Sequence, residues 1–144
     1  MGVIKSFNLT NLPLLITFAR SGTNWIRYII EHFSGKPTPG DKRIVAGNNF
    51  IIDRAHNAKD IINNYTKIIL CLRDYKEVFL RPIIEKDKNV NIFSDPGNFL
   101  SLNFKQKYDL KYKDYFNNIK AFHKFTGQKH LIYYEDILFK EDEI

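Results

Sequence analysis

The chain is poor in the residues that mark several function classes. It holds one cysteine, Cys71, in 144 residues, which excludes an internal disulfide and, with four scattered histidines, leaves no zinc-ligand spacing. That thiol sits in an apolar run, KIILCL, and fits a reducing compartment. No continuous apolar stretch is long enough for a membrane span, and the opening MGVIKSFNLTNLPLL lacks the apolar core of a signal peptide. A cytoplasmic protein with no membrane partner is the expectation. Missing too is the GxxxxGK[ST] loop, whose lysine and companion magnesium carboxylate serve metal-assisted phosphoryl transfer. Acidic residues are outnumbered, 16 against 22 Lys and Arg, for a net charge of +6. Much of that excess, Lys105, Lys107, Lys111, Lys113, Lys120, Lys124 and Lys129, alternates with aromatics at helical spacing and reads as a wet helix face. No recognition motif accompanies it, so nucleic acid is not an expected partner.

What is present suits one folded domain spanning residues 1–144: 44% of residues are hydrophobic and 15% aromatic, enough for a core. Leu14 to Phe18 is an unbroken apolar run of the kind found in a parallel strand covered on both faces. After it, Trp25, Ile26, Ile29, Ile30 and Phe33 form one helical stripe that stops at Ser34-Gly35. A polar loop over 35–48 leads to a short second strand at Phe50 to Ile52. A brief helix over Ala58 to Tyr65 and a third strand, Lys67 to Leu72, follow. From Asp74 to about Glu85 the pattern is helical, with Pro82 near a kink or an end. Residues 86–103 are polar and carry a turn at Asp95-Pro96-Gly97. A helix from about Tyr108 to Phe125 places Tyr112, Tyr115, Phe116, Ile119 and Phe122 on one stripe, more suited to a core than to a ligand. Leu131 to Tyr134 is a fourth strand.

Strands alternating with helices imply an α/β fold in three α/β/α layers, with a central parallel sheet of about four strands. Ligands of such sheets bind outside the carboxyl ends of the strands. Arg20, Ser21, Gly22 and Thr23 follow the first strand, Arg54 and His56 the second, Arg73 the third, and Glu135 and Asp136 the fourth. A loop entering a helix start directs unpaired backbone N–H groups at one spot, where the helix dipole favours an anion. Gly22 permits close approach, the hydroxyls of Ser21 and Thr23 add donors, and Arg20 adds a permanent charge. The same loop has one plainer reading, an ordinary strand-to-helix turn in which Thr23 caps the helix and Arg20 is solvated. Trp25 could stack on a base or sit in the core at the helix start.

Four segments, in order, resemble the sulfotransferases that use 3′-phosphoadenosine 5′-phosphosulfate (PAPS) as donor. TFARSGTNW (Thr17 to Trp25) is similar to their 5′-phosphosulfate loop, and RAHN (Arg54 to Asn57) to the segment with the catalytic histidine. KIILCLRDYKEVFL (Lys67 to Leu80) resembles the strand and helix that bind the 3′-phosphate, and YYEDIL (Tyr133 to Leu138) a late strand whose tyrosine lies near adenine. The resemblance implies a P-loop-like topology and a nucleotide donor, with 3′-phosphoadenosine 5′-phosphate (PAP) as product and no metal. By position, Arg20, Ser21, Gly22, Thr23 and Asn24 would hold the 5′-phosphate and sulfuryl group, and Trp25 would pack on adenine. His56 would be the general base for in-line transfer, and Arg20 with Arg54 would stabilise charge on the departing phosphate. Arg73 would grip the 3′-phosphate, and Tyr134 would lie by the base.

Three departures accompany the likeness. Cytosolic members carry lysine where Arg20 stands, whereas arginine resembles the carbohydrate and tyrosyl-protein branches; arginine is a poor proton donor, so its role there is electrostatic. Arg81 occupies the usual serine position, eight residues after Arg73. The chain also stops at Ile144, where members continue into a donor-clamping segment, so a C-terminally short domain is expected. The acceptor, whether small molecule, carbohydrate or protein, is not specified. Beside transfer to a hydroxyl or amine stands a second possibility, a non-catalytic or fragmentary nucleotide- and anion-binding module of that fold.

Overall fold

A computed structural model describes residues 11–19, 21–78 and 102–139, with side chains described from 112 to 137 in the last stretch. Arg20, Arg81, the turn at Asp95-Pro96-Gly97, the continuation of the helix expected from Asp74, and the acidic tail lie outside the described residues.

The unbroken apolar run becomes β1 (Leu14–Thr17), buried at all four positions. It lies inside a sheet with β2 (Asp53–Ala55), β3 (Lys67–Leu72) and β4 (Gln128–Tyr133), in the order β2-β1-β3-β4 and parallel throughout. Side chains alternate across a strand, so Leu14 and Ile16 face one layer and Leu15 faces the other. On the first face they meet Ile68 and Leu70, closed by Ala58, Ile62, Phe122 and Phe125. Phe122 belongs to α2 (Leu102–Lys124), and Ile62 to a 3₁₀ turn, Ile62–Asn64. On the second face Leu15 and Cys71 pack with Ile26 of α1 (Thr23–Ser34), with Ile52, and with Tyr134 and Ile137 of α3 (Tyr134–Phe139). The result is the expected three-layer α/β/α arrangement around a four-strand parallel sheet.

Several boundaries differ from the sequence pattern. The second strand is 53–55 rather than 50–52, so Arg54 stands within β2 and only His56 follows it. Phe50 to Ile52 spend their apolar character differently: Ile52 is buried in the second core cluster, and the Ile51 N–H donates to the Pro37 carbonyl at 3.4 Å. The expected helix over 58–65 reduces to turns, with Asn64 N–H to Ile61 O and Tyr65 N–H to Ile62 O closing three-residue steps; β-branched Ile61 and Ile62 beside Asn63 and Asn64 are weak α-helix formers. Helix α2 starts at Leu102, six residues before the expected Tyr108, and ends at Lys124, where Lys129 Nζ donates to the carbonyls of Phe122 (3.0 Å) and His123 (3.1 Å). Strand β4 begins at Gln128 rather than Leu131, and Tyr134 leaves the strand to open α3. Along the aromatic stripe Tyr115 and Phe122 are buried, Phe116 and Ile119 half-buried, and Tyr112 exposed.

Among the described residues no helix is long and apolar enough to cross a membrane, and no group of His, Cys, Asp and Glu could hold a metal ion.

Candidate functional site

The chain leaves β1 for β2 on one side and later returns to β3 on the other, so the carboxyl end of β1 is the point where strand order reverses, the place where sheets of this kind open a crevice. The loop there is built by its smallest residue. Ser21 N–H closes a turn onto the Phe18 carbonyl at 3.0 Å. Gly22 then takes a left-handed conformation, φ 85°, as the N-cap of α1, and no side chain caps it. A Cβ at this position would lie 2.3 Å from the Cδ2 and Cε2 atoms of Tyr134, so the aromatic ring rests directly on the glycine backbone. The first N–H groups of α1 are consequently left to this loop rather than to a capping residue.

Thr23 does not act as the cap. It is the first helical residue, and its Oγ1 hydrogen-bonds Thr17 Oγ1 at 2.8 Å, tying the helix start to the strand end. Ser21 is fully buried, and its hydroxyl has no hydrogen-bond partner among the described residues. A buried orphan hydroxyl costs about 1–3 kcal/mol, an expense more usual at a binding site than in a plain turn. The Ser21 carbonyl accepts from the Cys71 thiol at 3.4 Å. Burial, and then the Glu135 charge, push that thiol up to about 12, so Cys71 is a packing residue with no thiolate at neutral pH.

His56 reaches the same strand end from β2. Its Nδ1 lies 2.5 Å from the Thr17 carbonyl oxygen; since a carbonyl only accepts, Nδ1 carries the proton and the neutral ring keeps its lone pair on Nε2. The backbone around it is fixed from α2. Buried Asn118 donates through Nδ2 to the His56 carbonyl at 2.8 Å and accepts the Ala58 N–H at 3.0 Å through Oδ1. Nothing in the sequence pattern singles out Asn118, because an asparagine on a helix between Asn117 and Ile119 carries no local sign of a partner 60 residues away.

At the end of β3, Arg73 is buried with its guanidinium carbon 4.4 Å from the centre of the Tyr134 ring, and 3.6 Å separates it from the Glu77 carboxylate. The Tyr115 hydroxyl donates to the Arg73 carbonyl at 2.8 Å; burial, with Asp74 and Glu135 adding to it, pushes that phenol up to about 12. Glu135 Oε1 accepts the Asp74 N–H at 2.8 Å. Gly22, Tyr134 and Arg73 thus form a stack that joins the β1 loop to the ends of β3 and β4. Trp25, on the first turn of α1, is 43% exposed and is not a core residue. Arg54 is half-buried in β2, close enough for its charge to weigh on Arg27.

The most heavily bonded polar group was not visible in the pattern at all. Arg27 and Glu31, one turn apart on α1, are buried with their charged atoms 4.0 Å apart. Glu31 accepts from the Thr38 N–H (3.0 Å) and hydroxyl (2.5 Å), and from the N–H groups of Ile44 (2.5 Å) and Val45 (3.0 Å). Burial alone would raise this carboxyl, but those donors outweigh it and hold it at about 2. The only local signal is the i, i+4 spacing, common on solvated helices; the partners lie 7 to 14 residues on.

The fold and this edge define a three-layer α/β domain with a glycine-capped loop, a buried orphan hydroxyl and an oriented imidazole at its switch point. No family model, curated protein or solved structure matches the chain.

Proposed function

We propose that the domain is a sulfotransferase that moves a sulfuryl group from PAPS to a hydroxyl or amine, in a P-loop-like setting. One observation carries the proposal: Thr17, the last residue of β1, holds the His56 ring on its carbonyl and the start of α1 on its hydroxyl. A base and an anion-binding helix start therefore share one anchor.

The groups at that edge suit a phosphosulfate. The start of α1, which no side chain caps, and the buried Ser21 hydroxyl, which has no partner among the described residues, are donors suited to such an anion. Arg20 and Asn24 are assigned to the same anion, Asn24 from the first turn of α1, and exposed Trp25 on that turn offers an aromatic face for adenine. Arg73, with Arg81, is assigned to the 3′-phosphate, and Tyr134, stacked on Arg73, to the base. When bound, the donor supplies an activated sulfuryl group whose departure leaves negative charge on phosphate. The chain's own residues then do two things: His56 Nε2 accepts the acceptor's proton, and the loop donors with Arg20 and Arg54 hold the growing charge.

The test uses radiolabelled donor with panels of phenolic, carbohydrate and tyrosyl-peptide acceptors. Wild type should label at least one panel, and His56→Ala should lose at least about a hundredfold in rate while PAP affinity stays within about threefold. Donor binding without transfer to any acceptor would instead identify a nucleotide-binding module; neither binding nor transfer would end the proposal.

A further inference from the structure

Residues 35–48 read as a polar connector, yet their backbone is bonded to charges buried inside α1. Arg27 is 2% exposed and Glu31 0%. The Arg27 guanidinium donates in three directions at once. Nε reaches Thr38 Oγ1 at 3.0 Å, Nη2 reaches the carbonyls of Lys42 (2.7 Å) and Thr38 (3.4 Å), and Nη1 reaches Asn24 Oδ1 at 2.9 Å. Gly40, at φ 146°, closes over it; a Cβ there would stand 2.3 Å from Nη1. A planar fork of donors cannot turn for one acceptor without turning for the others. Asn24 lies on the first turn of α1, directly after the loop at the end of β1, whereas Thr38 and Lys42 belong to the connector, so one rigid group spans the helix start and the connector.

We propose that Arg27 is a positioning residue that joins the start of α1 to residues 38–45, making order in that connector and occupancy of the anion site at that helix start a single equilibrium. The inference rests on the assignment of Asn24, at the start of α1, to the ligand-binding site. A ligand that fixes Asn24 fixes the guanidinium; the guanidinium fixes Thr38 and Lys42; and Glu31, bonded to Thr38, Ile44 and Val45, carries the order to the rest of the connector. By reciprocity, loosening the connector weakens the ligand by the same factor.

Residue-resolved amide hydrogen exchange on the full chain tests this, with wild type, Asn24→Ala and Arg27→Lys, each with and without PAP. Asn24 is exposed, so its truncation leaves the core intact. Exchange at Thr38, Ile44 and Val45, whose N–H groups are bonded to Glu31 and not to Asn24, should nonetheless quicken at least about fivefold in Asn24→Ala. In wild type PAP should slow the same amides about fivefold, and in Arg27→Lys that protection should vanish. Unchanged exchange at the three amides in Asn24→Ala would overturn the inference and reduce the buried pair to a scaffold. Should wild type fail to bind PAP, the sulfotransferase proposal falls, while exchange of Asn24→Ala without PAP still decides whether the start of α1 and the connector are coupled. Should Arg27→Lys fail to fold, the same variant decides alone.

Discussion

Glu31→Gln gives the sharpest stability prediction. The native carboxyl is held at about 2 against an ordinary 4.5, which corresponds to about 3 kcal/mol of stability at neutral pH. The folded value is the lower one, so this contribution is complete above about 4.5 and is lost as pH falls toward about 2. Glutamine keeps the shape and loses the charge. It must also place an NH2 group where one oxygen accepted, against either the two Thr38 donors or the N–H groups of Ile44 and Val45. Arg27, 4.0 Å away, is left buried without its counter-charge. Removing one partner of a buried pair costs about 3–5 kcal/mol. Equilibrium urea unfolding at pH 7 should show the midpoint falling by about 1.5–2.5 M at a slope near 2 kcal/mol/M. Between pH 7 and about pH 3 the gap between wild type and variant should shrink by roughly 2 kcal/mol, since only wild type loses the carboxylate term. A gap under about 1 kcal/mol at pH 7, or one that does not change with pH, would refute the assignment of a charged, hydrogen-bonded Glu31.

Gly22→Ala combines an unfavourable positive φ with a Cβ placed inside the Tyr134 ring contact; thermal denaturation should report a loss of about 1–3 kcal/mol. Asn118→Ala orphans the Ala58 N–H and the His56 carbonyl together and should cost about 2–4 kcal/mol in urea unfolding. Cys71, buried and pushed up to about 12, should resist iodoacetamide at about pH 8 in the native state and react fully once the chain is unfolded in urea.

What could be read from the sequence followed burial. Both inner strands announced themselves: Leu14 to Thr17 is covered on both faces, and Lys67 to Leu72 matches the expected third strand residue for residue. The outer strands were misplaced for the opposite reason. β2 reads Asp-Arg-Ala and β4 opens Gln-Lys-His; edge strands lie partly in water, so backbone pairing and not apolar patterning defines them. The expectation followed the apolar residues beside them, Phe50 to Ile52 and Leu131 to Tyr134. At the candidate site, the glycine-capped loop was legible because a strand, a small-residue turn and a helix are neighbours in sequence. The hold of Asn118 on His56, and of Arg27 and Glu31 on residues 38–45, was not, because each bond joins residues whose local context is ordinary and whose meeting is made by the fold.

Calorimetric titration of PAP into wild type and Ser21→Ala addresses the proposed site most directly. The buried Ser21 hydroxyl has no partner among the described residues, so replacing it with alanine should leave stability unchanged or raise it by about 1 kcal/mol. If that hydroxyl is kept for a bound phosphate or sulfuryl oxygen, wild type should bind one PAP and Ser21→Ala should bind it about tenfold more weakly. No heat of binding in wild type at millimolar PAP, or equal affinity in the two proteins, would contradict the site as assigned.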